Sequence, residues 1–569
     1  MKPARTARDH GTSWTSDVWL WLGAGVVATA LLLLIGILTL IAARGLGHFW
    51  PAQLELVEYV DRLDQRQRLL GVVVEEETLS RAAWLETSSG DLAELPSGQL
   101  QIRRQLLHVG NRDLAPPDFR WLDQHRIAAR TLPRDAVALE RTAGGRAHGY
   151  LDAVYENDVL VASGAAAFAE ATERLVRVRS LREAARELRR EDIASLSNRL
   201  QTLRAERRRK APPGVSSPGA TSPGAFPSAA QDTEIDALEV RYDAILARLR
   251  DVESDLERDH IRLRLADGSV HPLSLAQIMR IWQPNAMSFA ERLSFYSGSV
   301  AEFLSGSPRE ANTEGGIFPA IFGTVLLVLL MALLVTPLGV VAAVYMHEYA
   351  RPGFGIRALR IAVNNLAGVP SIVYGVFGLG FFVYVVGGSI DELLFADRLP
   401  VPTFGSPGLL WAALTLALLT VPVVIVSTEE GLARIPREIR EGCLARGATR
   451  AETLLRVVLP CASPAILTGV ILAVARAAGE VAPLMLVGVV KLAPQLPVDG
   501  NFPYLHLDRP FMHLGFHIYD VGFQSPNVEA ARPLVYATAL LLVLIIVALN
   551  LMAIVLRSRL QRRYGAVDA

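Results

Sequence analysis

Residues 317–346 read IFPAIFGTVLLVLLMALLVTPLGVVAAVYM, without one charged side chain. A helix that crosses the hydrocarbon core of a bilayer needs roughly 20 apolar residues. This run exceeds that length and predicts a membrane-spanning helix. Further stretches meet the same criterion at about 18–43, 361–386, 408–427, 464–490 and 534–556. Lys2, Arg5 and Arg8 precede the first of them, as they would a secretory signal. Its apolar core is longer than the roughly 7–15 residues of a cleaved signal, so it is read as an uncleaved anchor behind a tail at 1–17.

Arginine orients the six spans. The segment after the second span carries Arg351, Arg357 and Arg360, and the one after the fourth carries Arg434, Arg437, Arg440, Arg446, Arg450 and Arg456. The C-terminal tail adds Arg557, Arg559, Arg562 and Arg563. The alternate loops are poor in basic residues: Arg398 in 387–407, and Lys491, Arg509 and Arg532 in 491–533. Short loops rich in Lys and Arg stay in the cytoplasm. Both termini are therefore expected inside, and 50–310 outside.

Composition excludes several classes. Hydrophobic residues make up 51% of the chain, in long runs, and the net charge is zero. A general affinity for nucleic acid has no electrostatic support. Lys2, Lys210 and Lys491 are the lysines, and none follows a glycine, so no Walker A loop is present. Cys443 and Cys461 are the cysteines; the polar insertion has none and folds without disulfides. No nucleophile–base pair or metal-ligand spacing stands out, and no cofactor is expected.

The insertion has two textures. Over 52–162, short strand-like runs such as Leu54–Val57, Gly71–Val74 and Gln99–Ile102 alternate with turn signals at Ser89–Asp91 and Gly144–Gly145, which predicts a β-rich module. Over 165–262, apolar residues take helical spacing. One series runs through Ala171, Leu175, Val178, Leu181, Ala185, Leu188, Ile193, Leu196, Leu200 and Leu203. The other runs through Ile235, Leu238, Tyr242, Ile245, Leu249, Val252 and Leu256. A Pro-, Ser- and Gly-rich linker at 211–230 separates them, so a coiled-coil hairpin is expected, either a solvated spacer whose seam pairs with itself or a docking arm for a partner. The run Arg207–Lys210 would be its solvated tip.

The segment after the fourth span reads EGCLARGATRAETLLRVVLP over 441–460. Gly447 permits a sharp turn between two short polar helices, and Leu459-Pro460 suits a helix start where the chain re-enters lipid. This resembles the EAA signature of ABC importer permeases, Glu-Ala-Ala, three residues, Gly, nine residues, Ile-x-Leu-Pro. Gly442 and Cys443 stand for the alanines and Val457 for isoleucine. The resemblance implies that Glu441, Gly442, Cys443, Gly447, Ala448, Leu459 and Pro460 couple the chain to a separate ATPase. It narrows at Asn364–Gly375, Ala475–Leu484 and Phe511–Asp520, which look like the phosphate-importer permeases of the PstA type. The likeness spans about 312–560.

Arg476 and Glu480 are the charges within the predicted core spans, four residues apart in 464–490. A charge at the bilayer centre costs about 3 kcal/mol or more, so such groups face a cavity and serve function there. Arginine's planar fork suits an oxyanion. The resemblance implies the same pair in transport, with Arg476 meeting the anion and Glu480 holding its side chain. Asn364, Asn365, Ser371 and Tyr374 are read as helix-packing hydrogen bonders, and His506, His513 and His517 as making outer-loop interface contacts.

The expected architecture is an α-helical membrane protein of six transmembrane helices. A type I ABC importer permease core at 312–560 holds five of them, and an α+β extracytoplasmic insertion contains the coiled-coil hairpin. The implied partners are an ATP-binding ABC subunit dimer, a second homologous permease, an extracytoplasmic phosphate-binding protein, phosphate and membrane lipid in a bacterial inner membrane. The competing readings are a permease for sulfate or molybdate, and a membrane-anchored coiled-coil scaffold or sensor.

Overall fold

The computed structural model describes residues 13–61, 64–88, 101–193, 196–197, 199–200, 203–204, 229–309, 312–396, 399–500, 502–525 and 528–564. The basic tail at Lys2–Arg8, the turn Ser89–Asp91, Arg398, the run Arg207–Lys210 and most of the linker 211–230 lie outside these residues. The chain divides into two compact units, Met1–Trp50 with Gly298–Ala569, and Pro51–Ser297.

In the first unit the described residues form six helices long and apolar enough to cross a membrane: Val18–Gly47, Phe318–Tyr349, Ser371–Leu394, Leu409–Ala433, Arg450–Gly479 and Ala531–Arg559. The fourth span is central. Its Ala412, Ala413, Ala417, Thr415, Thr420 and Thr428 are buried, and small residues let neighbouring backbones approach. The three threonine hydroxyls donate to the carbonyls of Trp411, Leu416 and Val424 at 2.7, 2.8 and 2.7 Å, so they enter the core already satisfied. The first span has no such seam. Its Leu- and Val-rich surface is exposed all round, and it crosses the sixth span where Gly45 meets the backbone of Ala537.

Two spans depart from the expected bounds. The third begins at Ser371, not at 361, and a separate helix, Phe354–Leu366, precedes it. Pro370 lacks an amide and disfavours helical geometry at the residue before it, so the chain breaks there. The third span then extends to Leu394 and takes in Asp391 and Glu392, so it is not free of charge. Asp391 is buried because its carboxylate accepts the amides of Thr403, Phe404 and Gly405 at 2.7–3.1 Å. The fifth span starts at Arg450 and ends at Gly479, instead of covering 464–490. Leu459-Pro460 is thus not a helix start after a loop. A π-helical segment at Leu454–Val458 carries the helix into the proline, which has no amide to donate.

The second unit holds two sheets of the same topology. The first comprises β1 (Glu55–Val60), β2 (Arg66–Ser80), β3 (Gln101–His108), β4 (Phe119–Asp123) and β5 (Ile127–Thr131) in the order β4-β3-β2-β1-β5. The second comprises β6 (Ala136–Arg141), β7 (Arg146–Glu156), β9 (Asp259–Arg264), β10 (Val270–Ser274) and β11 (Ile278–Trp282). Its order is β10-β9-β7-β6-β11, with β8 (Val159–Ser163) added against β7. In each, a single 3-10 turn joins the last two strands, Gln124–Arg126 and Leu275–Gln277. Leu122, Ile127 and Pro133 of the first recur at the same spacing as Leu273, Ile278 and Pro284 of the second. The unit therefore repeats one strand order twice. The modules share a core in which Leu54 and Leu70 pack with Ala136, Ala138 and Trp282.

This corrects the expected division at 162 and 165. The β-rich part needs strands from both sides of the helical insertion. The first half of helix Ala165–Glu187 covers the second sheet, with Ala167, Ala171, Leu175 and Val178 against Val154, Ile261 and Leu263. Farther along, helix meets helix. Ala185 and Leu188 pack with Ile245, Leu249 and Val252, and Leu200 and Leu203 with Ile235 and Leu238.

Candidate functional site: a broken membrane helix and a polar helical turn

Arg476 lies in the last turn of the fifth span, where a cation also complements the helix dipole. Glu480 is not on that helix. It caps the end in extended geometry, ψ 132°, because Gly479 ends the run and Pro483 cannot continue it. Arg476 Nε lies 3.7 Å from Glu480 Oε1, with both side chains partly accessible, at 35% and 22%. A short helix, Leu484–Val487, resumes beyond the break.

The third span braces this break. A side chain at Gly375 would meet Pro483 Cα at 2.7 Å, so only glycine admits the approach. One residue earlier, Tyr374 is buried and its hydroxyl donates to the Leu366 carbonyl at 2.7 Å, across the break before the third span. Two interrupted helices therefore meet around Arg476. Irregular backbone at membrane depth is tolerated only inside protein or along an aqueous cavity. Asn364 and Asn365 are exposed and Ser371 is half-buried, so Tyr374 alone of that group packs between the elements.

The turn after the fourth span is built by its caps. Helix Arg437–Ala445 ends with the Gly447 amide on Leu444 O at 3.0 Å and the Ala448 amide on Cys443 O at 3.2 Å. Gly447 takes φ +89°. This is a Schellman end, which needs the left-handed region. Thr449 and Glu452 then form a capping box that starts the next helix, a signal carried by the local sequence Thr-x-x-Glu. Glu441 and Gly442 are exposed and Cys443 is half-buried. Leu459 packs with Val344, Leu432 and Val458, the apolar cluster on which Ile439 also rests.

Sequence reasoning also missed Arg440 and Glu348, 3.0 Å apart, and Arg360 and Glu429, 3.1 Å apart, because each pair joins distant segments. His506 pairs with Asp499 at 2.9 Å, while His513 and His517 are buried. Among the described residues no cluster of three or more His, Cys, Asp or Glu could hold a metal ion.

The profile of the family described as binding-protein-dependent transport system inner membrane component matches residues 335–565. A phosphate transport system permease protein PstA of Mycobacterium leprae is 32% identical over 294 residues, 51% of this chain and 86% of that protein. The chain belongs to this permease family. A PstA of Yersinia pestis is 32% identical over 262 residues, 46% of the chain and 79% of the relative. A probable PstA of Methanocaldococcus jannaschii is 33% identical over 241 residues, 42% and 74%. Among solved structures, the MetNI methionine ABC transporter is similar at TM-score 0.32 and 19% identity, over 42% of this chain and 94% of that one. The chain is thus a multi-pass inner-membrane permease with an importer core and a β-rich insertion, and it is a transporter component.

Proposed function

We propose that this permease forms half of the pathway by which inorganic phosphate enters a bacterial cell, driven by a separate ATPase dimer. The other half is a second homologous permease, and an extracytoplasmic binding protein delivers the anion. The named activity of the relatives supports phosphate. The turn 441–448 contacts the ATPase, and the termini lie in the cytoplasm. The observation that carries the reading is the Arg476–Glu480 pair at the break of the fifth span. Arg476 meets the anion with its fork of donors, and Glu480 sets its direction and limits how tightly the anion is trapped.

Phosphate uptake in Arg476→Gln, Glu480→Gln and the double variant tests this, with membrane abundance and ATPase association measured alongside. Arg476→Gln should abolish uptake while the protein still inserts and assembles, and Arg476→Lys should rescue poorly because it loses the fork. If the pair only joined two segments, removing both charges would leave neither unpaired. Near-normal uptake by the double variant would then refute the substrate role.

A further inference from the structure

Helix Arg437–Ala445 has no buried residue. Any push from a partner must therefore reach the membrane through the few side chains that attach it. One is Ile439, which rests on an apolar knot of Val344, Leu432, Ile435, Val458 and Ala462. The other is Arg440, which points back into the protein. Its Nη2 donates to Leu432 O at 2.8 Å and its Nη1 to Ile435 O at 3.0 Å. These carbonyls lie where the fourth span runs out, and Leu432 O there also takes the Ile435 amide at 3.3 Å. The same Nη2 is 3.0 Å from Glu348 Oε1, with the two side chains only 19% and 23% exposed. Glu348 sits in the π-helical turn Tyr345–Tyr349 that ends the second span.

We propose that Arg440 is a positioning residue that ties the polar helix to the second and fourth spans at once, so that they move with it. The apolar seat of Ile439 resists separation but has no direction and can slide. The guanidinium fork is directional: it donates to two carbonyls at the end of the fourth span and keeps its charge beside Glu348 of the second. The water-poor setting makes those bonds stronger than a surface pair. The π turn adds a second mark, since such turns concentrate at sites where a helix must adjust. The inference rests on the reading that this helix meets the ATPase.

The test uses the full complex of permeases, ATPase and binding protein in proteoliposomes, and reads ATP hydrolysed per phosphate imported. Arg440→Gln should keep assembly and hydrolysis but raise that ratio about tenfold, the scale of losing charge-assisted bonds. Arg440→Lys should fall between, because an ammonium keeps the charge beside Glu348 but loses the planar fork that reaches both carbonyls. Glu348→Gln should give a smaller rise, and the double variant no more than Arg440→Gln alone, since the two act as one unit. An unchanged ratio in Arg440→Gln overturns the proposal. If that variant does not insert, an unchanged ratio in Glu348→Gln overturns it instead. Gly447→Arg separates the two readings. A fully coupled Gly447→Arg complex would remove the ATPase contact itself. An uncoupled one beside a coupled Arg440→Gln would remove only the role of Arg440.

Discussion

His148 of β7 is buried between the two strand–turn segments of the insertion. Its Nδ1 lies 3.0 Å from Val109 O, and its backbone amide donates to Asn111 Oδ1 at 3.2 Å. Burial, then the neighbouring His108 and Arg146, hold its pKa well below the usual 6.5. The folded unit therefore keeps it neutral where the unfolded chain takes up a proton. Stability from this residue is full above about pH 6.5 and is lost as pH falls toward the folded value. The thermal midpoint of the unit Pro51–Ser297, followed in the intact protein, should drop on acidification. His148→Gln should flatten that slope while costing about 1–2 kcal/mol at neutral pH from imperfect packing. An equally steep slope in the variant would refute the assignment. No sequence signal marks His148, because its burial comes from Gly110 and Asn111 folding back on Arg146 and His148. Arg476 was legible, because a charge in an apolar run is conspicuous wherever the chain goes.

At the scale of elements, the polar turn shows how a local rule can be read before the structure. Gly447 was expected to turn the chain, and it does so at φ +89°. A Cβ there would meet nothing within 4 Å. Gly447→Ala should therefore cost only about 1 kcal/mol of backbone strain and leave phosphate uptake nearly intact. Gly447→Arg projects a long cation from the same exposed turn and should uncouple the complex. Equal, large losses in both variants would place the role of Gly447 in folding, not in contact with a partner. The proline-bearing helices were harder to read. Leu459-Pro460 looked like a start because proline is tolerated there. A π-helical segment at Leu454–Val458 instead runs the helix into it. Hydropathy cannot register that, since the turn changes hydrogen bonding and not composition.

For the whole molecule, the hairpin and its base have different duties. Removing 165–262, the bounds suggested by periodicity, would delete most of β9 and the residues Ala167–Val178 that cover the second sheet. The unit should then unfold. Removing 189–248 leaves the residues that cover the second sheet in place and keeps Leu188 and Leu249, which pack in one cluster. With a short Gly-Ser link, that variant should insert normally and retain phosphate uptake. Loss of uptake with normal abundance would show that the arm is needed for transport. A reporter at Ala220 in the full chain should register an extracytoplasmic location, and a cytoplasmic signal would overturn the orientation.

The sequence by itself determined the number of spans, the polar turn at 441–448 and the charged pair at 476 and 480. These depend on transfer free energy and short-range spacing, which act on the chain before it folds. Only the tertiary structure decided that Glu480 leaves the helix of Arg476, that Arg440 ties two spans together, and that Asp391 sits buried among three amides. It also decided that a second sheet closes across just over a hundred intervening residues, with Tyr155 on β7 paired to His260 on β9. Each of these joins segments far apart in the chain. A strand has no partner, and a buried charge no donor, until the fold brings the other segment to it.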